Sequence, residues 1–227
     1  MNNKELELIQ REVIKSPEIW VPRFAVVTIS GPSGVGKTTI AHTLAEKYGI
    51  PDERNIKAGQ LLRKRTGEEN SVGYIERPLT VDKELDQMQL ERILSATVED
   101  PIILEGRLAG FLAEQLRAQK KLKFPVATFL LTANSDVRHR RIWERLERTK
   151  SLKEIKKLTQ EREMMDKENW KGLYPNLPHG NPFIPGAKDR EGHEIYDFLI
   201  STNHRTVEQV EEEMHRDLKD QGLIRKG

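Results

Sequence analysis

Short apolar runs alternate with amphipathic segments along most of the chain. Apolar, often β-branched runs predict buried strands at 24–29, 102–104, 126–131 and 196–200, and residues 55–57 favour a shorter strand. The segments between these runs carry apolar residues at helical spacing. Strands that alternate with helices indicate a parallel sheet covered on both faces, with right-handed crossovers. The pattern therefore predicts an α/β fold with three layers.

Capping patterns mark where two long helices begin. Ser151 and Glu154 have the spacing of a capping box, which predicts a helix that runs through Trp170. Thr206 and Gln209 have the same spacing before the last predicted helix. Both boxes follow polar stretches without helical periodicity, so we expect the helices to begin at these residues.

No internal repeat divides the sequence, and its length suits one α/β domain over residues 1–227. Within it we expect a helical extension at 1–22, to which we assign no chemistry. Residues 57–98 predict a helical insertion between two core strands. Several prolines and glycines at 171–194 indicate an irregular loop.

One glycine-rich stretch, Gly31 to Thr38, matches the pattern G-x-x-x-x-G-K-[ST] of a phosphate-binding loop, or P-loop. It lies between a predicted strand and a predicted helix, which is the context that the pattern requires. Its backbone N–H groups would converge on phosphate at the positive end of a helix dipole. Lys37 would reach the β- and γ-phosphates, and the Thr38 hydroxyl would ligate Mg²⁺. The residues expected to contact ATP here are Gly31, Ser33, Gly34, Val35, Gly36, Lys37, Thr38 and Thr39.

Composition excludes several other classes of protein. The 38 basic residues nearly balance the 36 acidic ones, and the resulting net charge of +2 argues against a dominant role in binding nucleic acid. No apolar run approaches the roughly 20 residues of a membrane span. Cysteine is absent, which excludes disulfides and thiolate metal sites. His179 and His193 stand alone in a proline-rich stretch, so we do not expect a histidine metal site. We expect a cytoplasmic monomer or homodimer that binds neither nucleic acid nor membrane.

Several motifs occur in a fixed order: GPSGVGKTT, AGQLLR, DKELDQMQLERI before LEGRLAG, VRHRRIWER, QEREMMDK, and IYDFLISTN before a capped helix. In this combination the chain resembles the nucleoside monophosphate kinases, and most closely the cytidylate kinases of archaeal type. The resemblance covers about residues 24–170 and 195–214. It implies a P-loop NTPase fold with a nucleotide-binding helical insertion at 57–98 and an arginine-rich lid at 138–170. The implied reaction is ATP-dependent phosphorylation of CMP or dCMP.

The resemblance also implies which residues bind the acceptor nucleotide, namely Ala58, Gly59, Arg63, Glu105 and Arg107. Arg63 would hold the acceptor phosphate, since a guanidinium can donate two parallel hydrogen bonds to it. Glu105 and Arg107 would recognise the acceptor nucleotide, and a carboxylate can accept from the exocyclic amine of cytosine. A surface arginine and a Glu–Arg pair that only orders its loop are the structural alternatives.

The lid arginines implied by the resemblance are Arg138, Arg141, Arg145 and Arg162. Cations that close over the γ-phosphate suit phosphoryl transfer, which depends on positioning and charge stabilisation. We expect Arg138 to contact ATP and the other three arginines to be catalytic, together with Lys37. Asp166 is also expected at the catalytic centre, although an ion pair along the helix explains its spacing from Arg162 equally well.

Three departures from the family leave the substrate open. Bacterial cytidylate kinases have an aspartate where this chain has Leu108, so cytosine recognition must differ or depend on Glu105. Lys57 stands where a small hydroxyl residue is usual, and Leu62 replaces an aromatic residue. The motif AGQLLR also resembles adenylate kinases, which keeps AMP as an alternative acceptor, and a kinase for UMP or another small metabolite is a further alternative. A non-catalytic P-loop protein that senses nucleotide is the alternative from another class.

Overall fold

The computed structural model describes residues 19–66, 79–177, 181–188 and 192–227, without the side chains of residues 63, 65 and 66. The helix expected in the first part of the extension lies outside these residues. Among the described helices, none is long and apolar enough to cross a membrane.

A five-stranded sheet forms the centre of the molecule, in the strand order β3-β4-β2-β5-β6. All neighbouring strands are parallel, as the alternation of strands and helices predicted. The strands of this sheet are β2 (Val26–Ser30), β3 (Asn55–Lys57), β4 (Ile102–Glu105), β5 (Val126–Thr132) and β6 (Phe198–Ser201).

Helices cover both faces of the sheet. They are α1 (Lys37–Lys47), α2 (Ala58–Thr66), α3 (Leu79–Ser95), α4 (Ala109–Ala118), α5 (Ser135–Arg145), α6 (Leu152–Leu173) and α7 (Val207–Asp220). Helices α2 and α3 form the predicted insertion, and α5 and α6 carry the predicted lid arginines.

Alternate residues of each strand face opposite layers, which divides the core into two clusters. On one side, Val27 and Ile29 of β2 pack with residues of α1 and α7. On the other side, Val26 packs with Ile102 and Leu104 of β4 and with residues of α3, α4 and α6. The predicted three-layer α/β architecture is confirmed.

Both predicted capping boxes are present. The Ser151 hydroxyl accepts from the backbone N–H of Glu154, whose carboxylate accepts from the N–H of Ser151. Thr206 and Gln209 make the reciprocal pair of hydrogen bonds at the start of α7. These bonds satisfy backbone donors that a helix leaves unpaired in its first turn.

Two strands of three residues each lie near the first and last residues of the chain, where no strand was predicted. Trp20–Pro22 forms β1 and pairs antiparallel with β7 (Ile224–Lys226). The prediction of a helical extension over 1–22 is therefore wrong at its last three residues. Strands this short show no alternation in the sequence, and the partner of each lies at the opposite end of the chain.

The last strand of the main sheet begins two residues later than predicted. The carboxylate of Asp197 accepts from the Thr128 backbone N–H at 2.8 Å and from its hydroxyl at 3.0 Å. The Asp197 side chain thus accepts from an N–H group of β5 that would otherwise bond to the main chain of the neighbouring strand. Regular pairing begins only at Phe198.

Helix α4 packs closely at Gly110. We therefore expect substitution of this glycine to affect stability differently from substitution of an unpacked helical glycine. A Cβ on Gly110 would lie 2.4 Å from Cε1 of Tyr196, whereas one on Gly172 in α6 would meet nothing within 4 Å. We expect Gly110→Ala to destabilise the protein by about 1–3 kcal/mol through overpacking. Gly172→Ala, the matched control, should be neutral or stabilising by up to about 1 kcal/mol, because alanine favours a helix. Denaturant unfolding measures both, and equal effects would contradict the close packing at Gly110.

Candidate active site

A cleft of about 900 Å³ opens where the strands end at their C-terminal edge. In open α/β sheets this is the edge where ligands bind. The P-loop after β2, the turn after β4, helices α5 and α6, and the start of α7 contribute its walls.

Backbone geometry explains the glycines of the P-loop. Gly34 has φ +84°, and a Cβ there would lie 2.6 Å from the carbonyl oxygen of Arg138. Gly36 has φ +96° and precedes the first residue of α1. Side chains rarely adopt these positive φ angles, so glycine is needed at both positions. The two glycines therefore let the loop turn tightly into the N-terminus of α1, where an anion site would form.

Lys37 begins α1 and turns back onto the P-loop. Its ammonium donates to the carbonyl of Gly31 at 2.8 Å and to that of Pro32 at 3.0 Å. These two acceptors hold the charge at the floor of the cleft.

The surroundings of Lys37 lower the pKa of its ammonium group. Burial lowers the pKa of Lys37 to about 8, and the carboxylate of Glu105 opposes this shift. Three arginines lower the pKa further by repulsion, in the order Arg107, Arg162 and Arg145. The site therefore concentrates positive charge for which the phosphates of a ligand would compensate.

Glu105 ends β4 and contacts the P-loop rather than the insertion. Its Oε1 accepts a hydrogen bond from the Thr38 hydroxyl at 3.2 Å. The Glu105 side chain is buried, and the residue lies opposite Ile29 of β2 in the sheet register. This contact disfavours the expected bond between Glu105 and an acceptor base, because the carboxylate faces the expected metal-binding hydroxyl.

Arg107 follows this strand end and pairs with Asp166, which is completely buried on α6. Arg162 lies one turn before Asp166, with 3.8 Å between its Nε and the Asp166 Oδ2. The Arg107 guanidinium also lies over the rings of Trp170 and Phe183, at 5.1 and 5.4 Å. The burial of Asp166 favours the alternative in which it positions the two arginines, and its expected catalytic role stays a prediction.

Helix α5 directs its arginines to two different places. Arg141 and Arg145 line the cleft, where Arg141 donates to the hydroxyl and carbonyl of Thr202. Arg138 does not line it. Its guanidinium donates to the Ser33 carbonyl at 3.1 Å and pairs with Glu163 at 2.7 Å. Arg138 thus contacts the P-loop backbone, and its expected ATP contact stays a prediction.

Most of the residues predicted from the sequence meet in this one cleft. Those that line it are Ser33, Gly34, Val35, Gly36, Lys37, Thr38, Thr39, Gly59, Glu105, Arg107, Arg141, Arg145 and Arg162. The predicted residues that are described but do not line it are Gly31, Ala58, Arg138 and Asp166. The side chain of Arg63 lies outside the described part of the chain, so its role stays a prediction.

Other residues of the cleft were not predicted. Thr202, Arg205 and Val207 line it at the end of β6 and the start of α7, and Lys57 lines it at the end of β3. The sequence did indicate this position, because residues that follow a buried parallel strand lie at the ligand-binding edge of the sheet.

Two solved structures share this architecture. The chain is similar to a shikimate kinase from Acinetobacter baumannii solved with shikimate, with a TM-score of 0.53 and 16% identity over 89% of this chain and 96% of that one. It is also similar to an uncharacterized protein from Eubacterium ventriosum, with a TM-score of 0.55 and 14% identity over 86% and 98% of the two chains. At such identities these similarities show the fold alone.

Sequence comparison defines the family. Residues 30–159 match the family model described as an AAA domain. A cytidylate kinase from Methanococcus vannielii is 34% identical over 154 residues, which are 66% of this chain and 80% of that protein. One from Methanocaldococcus jannaschii is 31% identical over 190 residues, or 82% and 92% of the two chains. The chain is a P-loop protein of the AAA-domain family, and among these proteins it belongs to the cytidylate kinases.

The depressed pKa of Lys37 predicts that ATP binding takes up protons. Without ligand, a pKa of about 8 leaves Lys37 half protonated at pH 8. Bound phosphates favour the charged ammonium and raise this pKa, so binding at pH 8 should take up about half a proton. At pH 6.5 Lys37 is already charged, and its uptake should be close to zero.

Calorimetry of ATP binding in buffers with different ionisation enthalpies measures this uptake. Lys37→Met should abolish the uptake at pH 8. Equal uptake by the variant and the unmodified protein would contradict the assignment to Lys37.

Proposed function

We propose that this protein transfers the γ-phosphoryl group of ATP to CMP or dCMP, which gives ADP and the cytidine diphosphate. The observation that carries this proposal is a single cleft that combines a P-loop with arginines from a strand end and two lid helices. Its relatives named cytidylate kinase supply the acceptor class. A protein that only sensed nucleotide would need the P-loop but not the second set of arginines.

The donor occupies the P-loop side of the cleft. The N–H groups of the loop bind the triphosphate, and the Lys37 ammonium moves from the carbonyls of Gly31 and Pro32 to the β- and γ-phosphates. Val207 and Val210 offer apolar surface for the nucleoside at the start of α7. Val210 is buried there among core residues, which fix the position of this side of the cleft.

Thr38 and Glu105 suit a magnesium ion that arrives with ATP. Their hydroxyl and carboxylate oxygens lie 3.2 Å apart beside Lys37, and Mg²⁺ prefers oxygen ligands. Among the described residues no group of three or more histidine, cysteine, aspartate or glutamate side chains could hold a metal. Phosphate oxygens and water would therefore complete the set, which is typical of kinases. The ion would supply charge neutralisation between the β- and γ-phosphates.

The acceptor occupies the side formed by Gly59, Gly106 and Arg107. Arg107 binds its phosphate together with Arg63, the residue that the resemblance implies. No side chain needs to act as a strong base, because a phosphate nucleophile is already ionised at neutral pH.

Arg141, Arg145 and Arg162 face the space between donor and acceptor. Their guanidinium groups stabilise the charge on the equatorial oxygens of the transferring phosphoryl group. Helices α5 and α6 cover this space and exclude water, which would otherwise accept the phosphoryl group. The proposed setting is the cytoplasm, with free nucleotides as partners and the protein as monomer or homodimer.

An acceptor panel tests this proposal. With ATP and Mg²⁺, we expect the purified protein to form nucleoside diphosphate from CMP and dCMP faster than from UMP or AMP. Lys37→Met should lower kcat by roughly a thousandfold or more, because the charge on the triphosphate is no longer neutralised. Lys123→Met, at an exposed lysine far from the P-loop in sequence, is the matched control and should leave turnover unchanged.

Three outcomes of the panel separate the alternatives. ATP binding without transfer to any monophosphate would support a nucleotide sensor and reject the kinase. Transfer to AMP without transfer to a pyrimidine would reject the proposed acceptor. Lys37→Met within tenfold of the unmodified protein would show that the P-loop is not the catalytic site.

A further inference from the structure

Cytosine recognition was expected from Glu105, because Leu108 replaces the aspartate of bacterial cytidylate kinases. Glu105 faces Thr38 and the triphosphate side of the cleft. Leu108, which stands where bacterial relatives have an aspartate, is buried in the core cluster. These contacts favour recognition of the acceptor base by another polar group near Gly106.

Helix α3 of the insertion presents a buried polar row close to this corner. Asp82, Asp86 and Gln89 follow one another at spacings of four and three residues, and all are more than nine-tenths buried. Such a row on the inner face of a helix costs free energy unless its groups are hydrogen-bonded. Apolar residues would fill a purely structural role at a lower cost in free energy.

The two aspartates of this row bond to the last turns of α6. The amide of Asn169 donates to the Asp82 carboxylate at 3.1 Å. The hydroxyl of Tyr174 donates to the Asp86 Oδ2 at 2.6 Å. Burial, together with the negative charge of Asp86, raises the pKa of Tyr174 far above its usual value, so this hydroxyl remains a donor. The lid helix thereby fixes the position of Asp86.

Asp86 in turn fixes the orientation of the Gln89 amide. Gln89 Nε2 donates to the Asp86 Oδ1 at 3.1 Å, and a carboxylate can only accept here. The Gln89 Oε1 must therefore point away from Asp86, as a pure acceptor. It is shielded from water and has no hydrogen-bond partner in the part of the chain that the structure describes. A buried carbonyl oxygen left without a donor costs about 1–3 kcal/mol, which a suitable ligand would recover.

This oxygen lies directly behind the acceptor corner. It is 2.7 Å from the place that a Cβ on Gly106 would occupy, and the Cβ of Ala58 lies 3.1 Å from the same place. Gly106 and the neighbouring Gly59 line the cleft. Since glycine carries no side chain, it leaves room at this turn for the Gln89 amide oxygen. A base that entered between α3 and this turn would meet this oxygen as an acceptor.

We propose that Gln89 determines the base specificity of the acceptor site, with its Oε1 accepting from the exocyclic amine of cytosine. Asp86 and Tyr174 are positioning residues for this contact. Uracil presents a carbonyl oxygen where cytosine presents the amine, so it would face the Gln89 oxygen with a second acceptor. A site built to bond an N–H group rejects analogues that lack it, because its own polar group stays unpaired. The inference rests on the proposed kinase function and names the residue that selects its substrate.

The test compares kcat/KM for CMP, UMP and the monophosphate of 2-pyrimidinone ribonucleoside, which lacks only the amine. The unmodified protein should prefer CMP over both by about 100-fold. Gln89→Met, which keeps the length of the side chain, should lower the value for CMP by about 30- to 100-fold and those for the other two by less than about threefold. Gln87→Met, on the exposed face of the same helix, should leave all three unchanged.

Tyr174→Phe provides a second variant that leaves Gln89 intact. Loss of the bond that holds Asp86 should raise the KM for CMP by about three- to tenfold and reduce the preference over UMP, with kcat at saturating CMP retained. An unchanged CMP preference in Gln89→Met, with CMP still phosphorylated, would overturn the role of Gln89 alone. Absence of transfer to any monophosphate by the unmodified protein would overturn the proposed function and the specificity role with it.

Discussion

The geometry of the site depends on the buried carboxylate of Asp166. It belongs to the lid helix α6, yet it pairs with Arg107 at the end of a core strand and lies 3.8 Å from Arg162 one turn earlier. An unpaired charge at a completely buried position would cost several kcal/mol. The helix is therefore held at the one position where Asp166 meets Arg107. That position brings both guanidinium groups to the wall of the cleft.

The same constraint explains the charge of the site before a ligand binds. Arg107 and Arg162 lie close enough to Lys37 to help lower its pKa, and Glu105 compensates only in part. Such a site is electrostatically unfavourable without phosphate, so part of the binding free energy comes from relief of repulsion. The buried bonds between α3 and α6 extend this arrangement to the acceptor side. Donor, acceptor and lid contacts thus form one connected network.

The sequence was sufficient for features that depend on local pattern. The P-loop, the parallel strands and the two capping boxes follow from spacing alone, and the structure confirms the α/β fold. Features that depend on distant partners could not be predicted. The directions of Arg138 and Glu105 are set by contacts with Ser33 and Thr38, and short strands carry no alternation. Gln89 lies in the motif DKELDQMQLERI, but its role could not be predicted, because that role depends on Asp86 and on the turn at Gly106.

The measurement that tests this account most directly compares Asp166→Asn with Glu114→Gln. Glu114 is also a buried carboxylate paired with an arginine, but it lies on α4 and does not line the cleft. Both variants should lose stability, because the buried carboxylate no longer carries the charge that pairs with its arginine. The account predicts that only Asp166→Asn lowers kcat/KM for ATP-dependent CDP formation, by about 100-fold or more, at a temperature where both remain folded. Turnover of Asp166→Asn close to that of Glu114→Gln would contradict it.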